Sequence, residues 1–396
     1  MDERFDALAE LALHGVNLQP GQLLGVTAYI GQEELARAVA RAAYARGAGF
    51  VDVWYFDPWI KRARIENARK DTLDYVPPWF SARLLTLAEQ NAARLSFRGV
   101  TSPGALEGLD GARLGRDQLP WLKESMQVLH DRSTNWCVVP CPTPEWAAVV
   151  YGQASEASYE RLWSDLWHIL RLDEPDAGAA WDKRFTDLRA EGAAITARHF
   201  DSIELSGPGT ELSVGLLPSS RWNAGDLETV TGIRHLTNIP SEEVFTTPDP
   251  ERVDGHVTAT RPLVMIDGTV VEGLRVRFEA GRAVEIEADE NVEAFRGKHS
   301  IDDGGTRLGE LALVDRQSRV GQSGLVFYDT LLDENAASHI AMGAGYLDPV
   351  GEEDHARVNK SVVHTDFMIG SSELEVTGVT ADGERVPVLR DGNWQR

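Results

Sequence analysis

Residues 360–370, KSVVHTDFMIG, set His364 and Asp366 two positions apart inside an otherwise apolar run. In a β-strand such residues project from the same face, so an imidazole and a carboxylate would leave a largely buried strand side by side. A buried carboxylate costs free energy unless it is paired or holds a metal, and the rest of the chain has to supply the partner. Among ten histidines, His339 is the other one in apolar, small-residue surroundings, in DENAASHIAMGAGY (333–346). Carboxylates with buried-looking neighbours are Glu242 and Glu243 in LTNIPSEEVFTTPD (236–249), Glu310 in RLGELALVD (307–315), and Glu334. Each alone has an ordinary reading, as a satisfied core histidine, a helix cap or a surface acid. Together they form a set of Glu, Glu, Glu, His, His and Asp. Mixed carboxylate and imidazole donors suit Zn²⁺, Mn²⁺ or Co²⁺. Their number exceeds the protein ligands of a mononuclear catalytic zinc and matches two ions ~3.5–4 Å apart. His364 and Asp366 then form a chelating pair borne on one strand. Glu334 fits least well. Read as one helix, 333–346 puts Glu334 and His339 roughly 140° apart around the axis, off any common face.

The elements that must position these residues fall into two textures. Over the first half, strand and helix patterns alternate. LLGVTAY (23–29) reads as a strand, QEELARAVARAAYARG (32–47) as a helix and FVDVWYF (50–56) as a strand; SARLLTLAEQNA (81–92) as a helix and ARLSFRGV (93–100) as a strand; QLPWLKESMQVLHDR (118–132) as mostly helix and NWCVVPCP (135–142) as a strand. This is the pattern of an α/β domain with a Rossmann-like parallel sheet, yet TAYIGQEE after the first strand is not G-x-G-x-x-G and no nucleotide fingerprint is present. Residues 144–199 read as helical. From about 200 the pattern alternates apolar and polar around glycine turns. FDSIELSGPGTELSVGLLP reads as a hairpin, 262–289 as three short strands, and SELEVTGVTADGERVPVLRDGNW as a closing hairpin. We expect two domains, 1–190 and a β-rich α+β domain over 191–396 that carries every candidate ligand.

Composition narrows the function classes. Acidic residues outnumber basic ones 62 to 39, a net charge of −23, which opposes binding to nucleic acid or anionic membranes. No apolar run reaches the ~20 residues of a membrane span, and the charged N-terminus, an amphipathic helix with Phe5, Leu8 and Ala12 on one face, lacks a signal-peptide core. A cytoplasmic protein is expected. Cys137 and Cys141 are the only cysteines, too few for a structural zinc site, and read as reduced thiols.

NIPSEEVFTTPD, LGELALVD, DENAASHIAMGAGY and SVVHTDFMIG stand in the order of the signature segments of the aminopeptidase T family of metallopeptidases. The chain resembles that family over nearly its whole length, GVNLQPGQLLGV and GPGTELSVGL included. The resemblance implies an exopeptidase with a two-metal centre in its C-terminal metallopeptidase domain, working on peptides as a homodimer with an internal cavity and activated by zinc, cobalt, manganese or magnesium. The family's ligands fall on Glu243, Glu310, Glu334, His339, His364 and Asp366, and its active-site tyrosine on Tyr346, which without the motif would read as a helix-end residue. Glu243 is preferred to Glu242 because it adjoins the valine; Glu242 then lies on the opposite strand face. The implied reaction is attack on the first peptide bond by a hydroxide bridging two metals, with Tyr346 stabilising the oxyanion and a carboxylate, Glu242 being one candidate, passing the proton to the leaving amine. Relatives of similar fold include ring-cleaving dioxygenases that hold one Fe²⁺ with two histidines and a carboxylate, a triad that His339, His364 and Asp366 would supply. Glu243, Glu310 and Glu334 favour the two-metal peptidase over that alternative, and over a non-catalytic acidic scaffold.

Overall fold

The structure is a computed structural model that describes residues 2–395 other than 118, 121, 123, 266 and 267. Asp2 opens the first helix: its carboxylate accepts the backbone N–H of Arg4 at 3.0 Å, satisfying a donor that a helix start leaves unpaired and contributing about 1 kcal/mol. That helix, α1 (Glu3–Gly15), buries Phe5, Leu8 and Ala12. The alternation expected from the sequence follows as β1 (Leu23–Tyr29), α2 (Glu33–Ala45), β2 (Phe50–Phe56), α3 (Pro58–Asn67), α4 (Pro78–Glu89), β3 (Ala93–Arg98), α5 (Gly111–Leu114), α6 (Glu124–His130) and β4 (Trp136–Pro140). The helical stretch resolves into α7 (Pro144–Tyr151), α8 (Glu156–Ile169) and α9 (Ala177–Thr196). Strands β1–β4 form one parallel sheet in the order β2-β1-β3-β4. Part of the helix expected over 118–132 lies outside the described residues; what is described begins at Glu124. Cys137 and Cys141 are free, buried thiols.

The chain then enters its antiparallel part with the hairpin β5 (Ser202–Gly207) and β6 (Thr210–Leu216) and the short β7 (Asn223–Ala224). A second short hairpin, β8 (Asp226–Glu228) and β9 (Arg234–Leu236), precedes β10 (Glu243–Thr246) and β11 (Pro248–Thr258). Four strands occupy the segment expected to hold three: β12 (Leu263–Val264), β13 (Val270–Val271), β14 (Arg275–Glu279) and β15 (Arg282–Glu287). After α10 (Val292–His299) come β16 (Leu308–Val314), α11 (Arg319–Ser323), α12 (Thr330–Glu334), β17 (His339–Gly343) and β18 (His364–Met368). The closing strands are β19 (Glu375–Val379), β20 (Arg385–Arg390) and β21 (Asn393–Trp394). An eight-stranded sheet runs β15-β14-β11-β6-β5-β19-β20-β21 and a five-stranded one β18-β17-β16-β10-β7.

Two compact units result, Met1–Trp181 with Asp226–Pro240, and Asp182–Gly225 with Ser241–Arg396. The division therefore falls inside α9 rather than at 190, and the β8–β9 hairpin belongs with the first unit. Hydrophobic patterning cannot place such a boundary, because the helix is continuous across it.

One expectation is overturned in the second unit. Residues 333–346 are not one helix: α12 stops at Glu334, and His339 opens β17, whose five residues are all buried. A short apolar run fits a buried strand as well as a helix, and here tertiary pairing decides, since β16 and β18 flank β17 on both sides. The small residues serve close packing of strands. A Cβ on Gly343, which has φ +112°, would meet the Val363 carbonyl oxygen at 2.1 Å.

Burial also sets a pH dependence. His235 on β9 is 3% exposed, its Nε2 has no hydrogen-bond partner, and desolvation brings its pKa down to about 4. A histidine whose folded pKa lies below its unfolded value favours folding above the unfolded pKa and loses that contribution as the pH falls through the folded one. Urea unfolding of the wild-type chain is therefore expected to lose stability between roughly pH 6.5 and 4 more steeply than His235→Gln, by at most about 1.4 kcal/mol per pH unit.

Candidate metal centre

The five-stranded sheet explains how residues scattered over more than a hundred positions meet. In an antiparallel sheet, directly opposed residues share a face and alternate residues along a strand do too. The register opposes Glu310, Ala341 and Asp366 in one row across β16, β17 and β18, and Ala312, His339 and Met368 in the next, with Phe245 of β10 facing Ala312. Gly343 faces His364, and Glu243 lies two residues from Phe245. Hence Glu243, Glu310, His339, His364 and Asp366 all emerge from one face. Ala312 and Ala341 stand between them with no side chain beyond Cβ. A register shift at Gly309 re-aims Glu310; a Cβ at Gly309 would meet the Ala344 carbonyl oxygen at 2.2 Å.

The contacts are short. His339 Nε2 lies 3.1 Å from Glu243 Oε2, and His364 Nε2 lies 3.3 Å from both Glu310 Oε2 and Asp366 Oδ1. Each imidazole is held from behind by a backbone carbonyl: His339 Nδ1 is 3.2 Å from Ala337 O, and His364 Nδ1 is 2.8 Å from Ala344 O. A carbonyl oxygen only accepts, so Nδ1 carries the hydrogen and Nε2 turns its lone pair toward the carboxylates. Metal-ligating histidines are oriented by the same device. Between that lone pair and a carboxylate there must be a proton or a cation. Glu243 Oε2, buried and without an aligned hydrogen-bond partner, shows the same unmet demand.

The donors form two groups that offer atoms within 4.8 Å of one another, Glu243–Glu310–His339 and Glu310–His364–Asp366. Glu310 is common to both. These donors fit a divalent ion: carboxylates and neutral-tautomer imidazoles, more acids than bases, and little solvent. Without an ion, the acids and imidazoles compensate one another. Burial alone would lower His339, but Glu243 outweighs it and pushes the imidazole up to about 10. Burial likewise opposes charge on His364, yet Tyr346, Asp366 and Glu310 together raise it well above its usual range. Burial, with Asp366 and Glu243, raises Glu310, whereas burial on Asp366 is overcome by His364, which holds that carboxylate low.

Glu334 belongs to neither group, but burial and the charges of Asp366 and Glu243 raise its pKa strongly, so it stands within their field. The helical mismatch between Glu334 and His339 disappears, because the helix ends before His339. Tyr346 follows β17; its ring is 5.1 Å from that of His364 and 6.0 Å from that of Phe245. His364 draws the phenol pKa down, but burial and Glu310 outweigh it and raise it. Glu242 is no proton shuttle: it is fully buried, and Arg184 Nε donates to its Oε2 at 2.7 Å. Arg184, Asp315 and Asn335, which surround Glu242, were not singled out from the sequence. Arg184 follows the exposed Asp182 and Lys183 on α9, but its spacing from the buried Trp181 and Leu188 is that of an inward face, a signal that would have found it.

A family model described as thermophilic metalloprotease (M29) matches residues 1–394. The chain is 41% identical to aminopeptidase T of Thermus aquaticus, with 99% of this chain and 98% of that protein covered. Aminopeptidase 2 of Geobacillus stearothermophilus is 35% identical over 99% and 98%. The solved structure of wild-type AmpT from Thermus thermophilus superposes with a TM-score of 0.92 at 39% identity, covering 100% of this chain and 99% of that one.

The shared position of Glu310 generates a test with two opposite signs. Glu310→Gln removes a buried charge that its neighbours disfavour, so the metal-stripped variant is expected to match or exceed the wild type in urea. Divalent-ion binding, read by equilibrium dialysis, is expected to weaken more in Glu310→Gln, which touches both donor groups, than in Asp366→Asn, which touches one. Unaffected divalent-ion binding in Glu310→Gln would contradict the arrangement.

Proposed function

The chain belongs to the thermophilic metalloprotease (M29) family, and on that premise we propose that it is a metal-dependent aminopeptidase whose Glu243, Glu310, Glu334, His339, His364 and Asp366 hold two divalent ions. The observation that carries the reading is Glu310, one carboxylate common to two histidine-containing donor groups. The relatives named above are aminopeptidases, and the acids beyond a two-histidine, one-carboxylate triad have no place in a single-iron dioxygenase; that alternative has no support. Among the described residues no helix is long and apolar enough to cross a membrane.

Divalent ions at such a centre supply Lewis acidity and a water that ionises near neutral pH. The side chains account for the rest. A free α-amine would find its place at the centre as a neutral ligand or on a carboxylate oxygen left unliganded, which would select the N-terminus. His339 and His364 keep their Nδ1–H on backbone carbonyls, so they orient and do not relay protons. Tyr346, a phenol that is ordinarily protonated near neutral pH, offers an O–H to the carbonyl oxygen as negative charge develops there. A carboxylate of the cluster would take the proton released when water adds to the peptide carbonyl and pass it to the leaving amine; Glu242, held by Arg184, is not placed to do so.

After chelator treatment and reloading with Co²⁺ or Zn²⁺, free amino acid should be released from dipeptides and aminoacyl anilides, and N-acetylated peptides should resist. Efficient cleavage of the acetylated peptides, or no turnover across a broad panel with metal bound, would overturn the reading. Tyr346→Phe is expected to lower kcat by about 10²–10³-fold, with KM and metal content near wild type.

A further inference from the structure

Behind the metal-ligand face lies a second buried charge cluster that the reaction does not use. Glu243 of β10 pairs with Val314 of β16. One residue beyond that pair, at the same end of both strands, stand Glu242 and Asp315. By strand alternation they face away from Glu243. Arg184 of α9 takes both: Nε donates to Glu242 Oε2 at 2.7 Å, and Nη1 and Nη2 donate to Asp315 Oδ2 and Oδ1 at 3.1 and 2.9 Å. All three are buried. Asp315 is further fixed by Trp394 Nε1 at 2.6 Å and the Gln317 amide at 2.8 Å. The Glu242 backbone N–H donates to Asn335 Oδ1 at 2.6 Å, and Asn335 Nδ2 donates to Leu331 O at 2.8 Å at the end of α12. Asn335 directly follows Glu334. One connected network thus grips the ends of three segments that carry Glu243, Glu310 and Glu334.

A buried ion triad is weak evidence of stabilisation, since well-packed apolar residues often do as well or better. What it does supply is geometry. Arg184 spans two carboxylates with one rigid fork, and a slip or fraying of β10 against β16 would carry Glu243 away from His339 and Glu310. We propose that Arg184, with Glu242, Asp315 and Asn335, is a positioning device that holds three metal-ligand-bearing segments in register from the reverse face of the sheet. The inference rests on the metal-centre reading above, and the test separates the two.

The full chain, stripped of metal, is titrated with Co²⁺ while visible absorption reports affinity and coordination geometry; urea unfolding of the stripped protein reports stability independently. Arg184→Lys keeps the charge but cannot fork to both acids. A second variant replaces the triad by apolar residues, Arg184→Met with Glu242→Leu and Asp315→Leu, and stays informative if the lysine variant fails to fold. The expected result is a folded protein whose Co²⁺ affinity falls about 10–100-fold with an altered absorption band. A folded variant with wild-type affinity and spectrum overturns the positioning role. A wild-type chain that takes up no Co²⁺ overturns the metal-centre reading itself and the inference with it.

Discussion

Two imidazoles that turn their lone pairs toward carboxylates set the terms for this molecule. Backbone carbonyls on Nδ1 leave Nε2 of His339 and His364 facing Glu243, Glu310 and Asp366 at 3.1–3.3 Å. Such an encounter is repulsive unless a positive centre lies between the partners. Protons serve when nothing else is present, and the raised pKa values of both histidines record that demand. A divalent cation satisfies it better, because one ion meets several donors at once while a proton meets two. The carboxylate excess works in the same direction. Acids so close together in a poorly solvated place repel each other unless compensated, and two imidazolium groups do not balance four carboxylates.

A flat array of donors needs a flat support, and the five-stranded antiparallel sheet is that support. Strand alternation delivers every second residue to one face, so Glu310, His364 and Asp366 require only correct register to converge. Ala312 and Ala341 stand in the same rows as the ligands with no side chain beyond Cβ, whereas Gly343 is required by its φ of +112° and the approach of the Val363 carbonyl. The bulge at Gly309 belongs to the same economy of space, bringing Glu310 onto a row with Ala341 and Asp366.

Much of this was legible in the sequence, and the reasons differ from element to element. The spacing of His364 and Asp366 declared a shared face because strand periodicity is local. The βα alternation in the first half was equally local, and so were the glycine-marked hairpins. His339 was misplaced on a helix because an alanine-rich run with few β-branched residues has no local preference strong enough to resist pairing with two neighbouring strands. Arg184 was passed over although a local signal existed. Asp182 and Lys183 precede it and are exposed, yet it stands three residues after Trp181 and four before Leu188, both buried, which is the spacing of an inward helix face. Its partners lie about 58 and 131 positions away in sequence, and these no local pattern could supply. The unit boundary inside α9 was hidden for a related reason, since a continuous helix gives no sign of changing the body it belongs to.

Glu242 and Glu243 put the design in its simplest form. Glu243 opens β10 and Glu242 immediately precedes it; both are buried, and they meet different partners. Behind the sheet, Glu242 meets a guanidinium that is covalently part of the chain, permanently charged and fixed by two further hydrogen bonds to Asp315. In front, Glu243 meets an imidazole whose charge depends on what else is bound. The first arrangement has no freedom and so can define geometry; the second has freedom and so can do chemistry. A centre that exchanges cations has to keep its donors in place while their charge is uncompensated, when mutual repulsion would spread them. A fixed cation on the reverse face supplies that restraint without competing for the front.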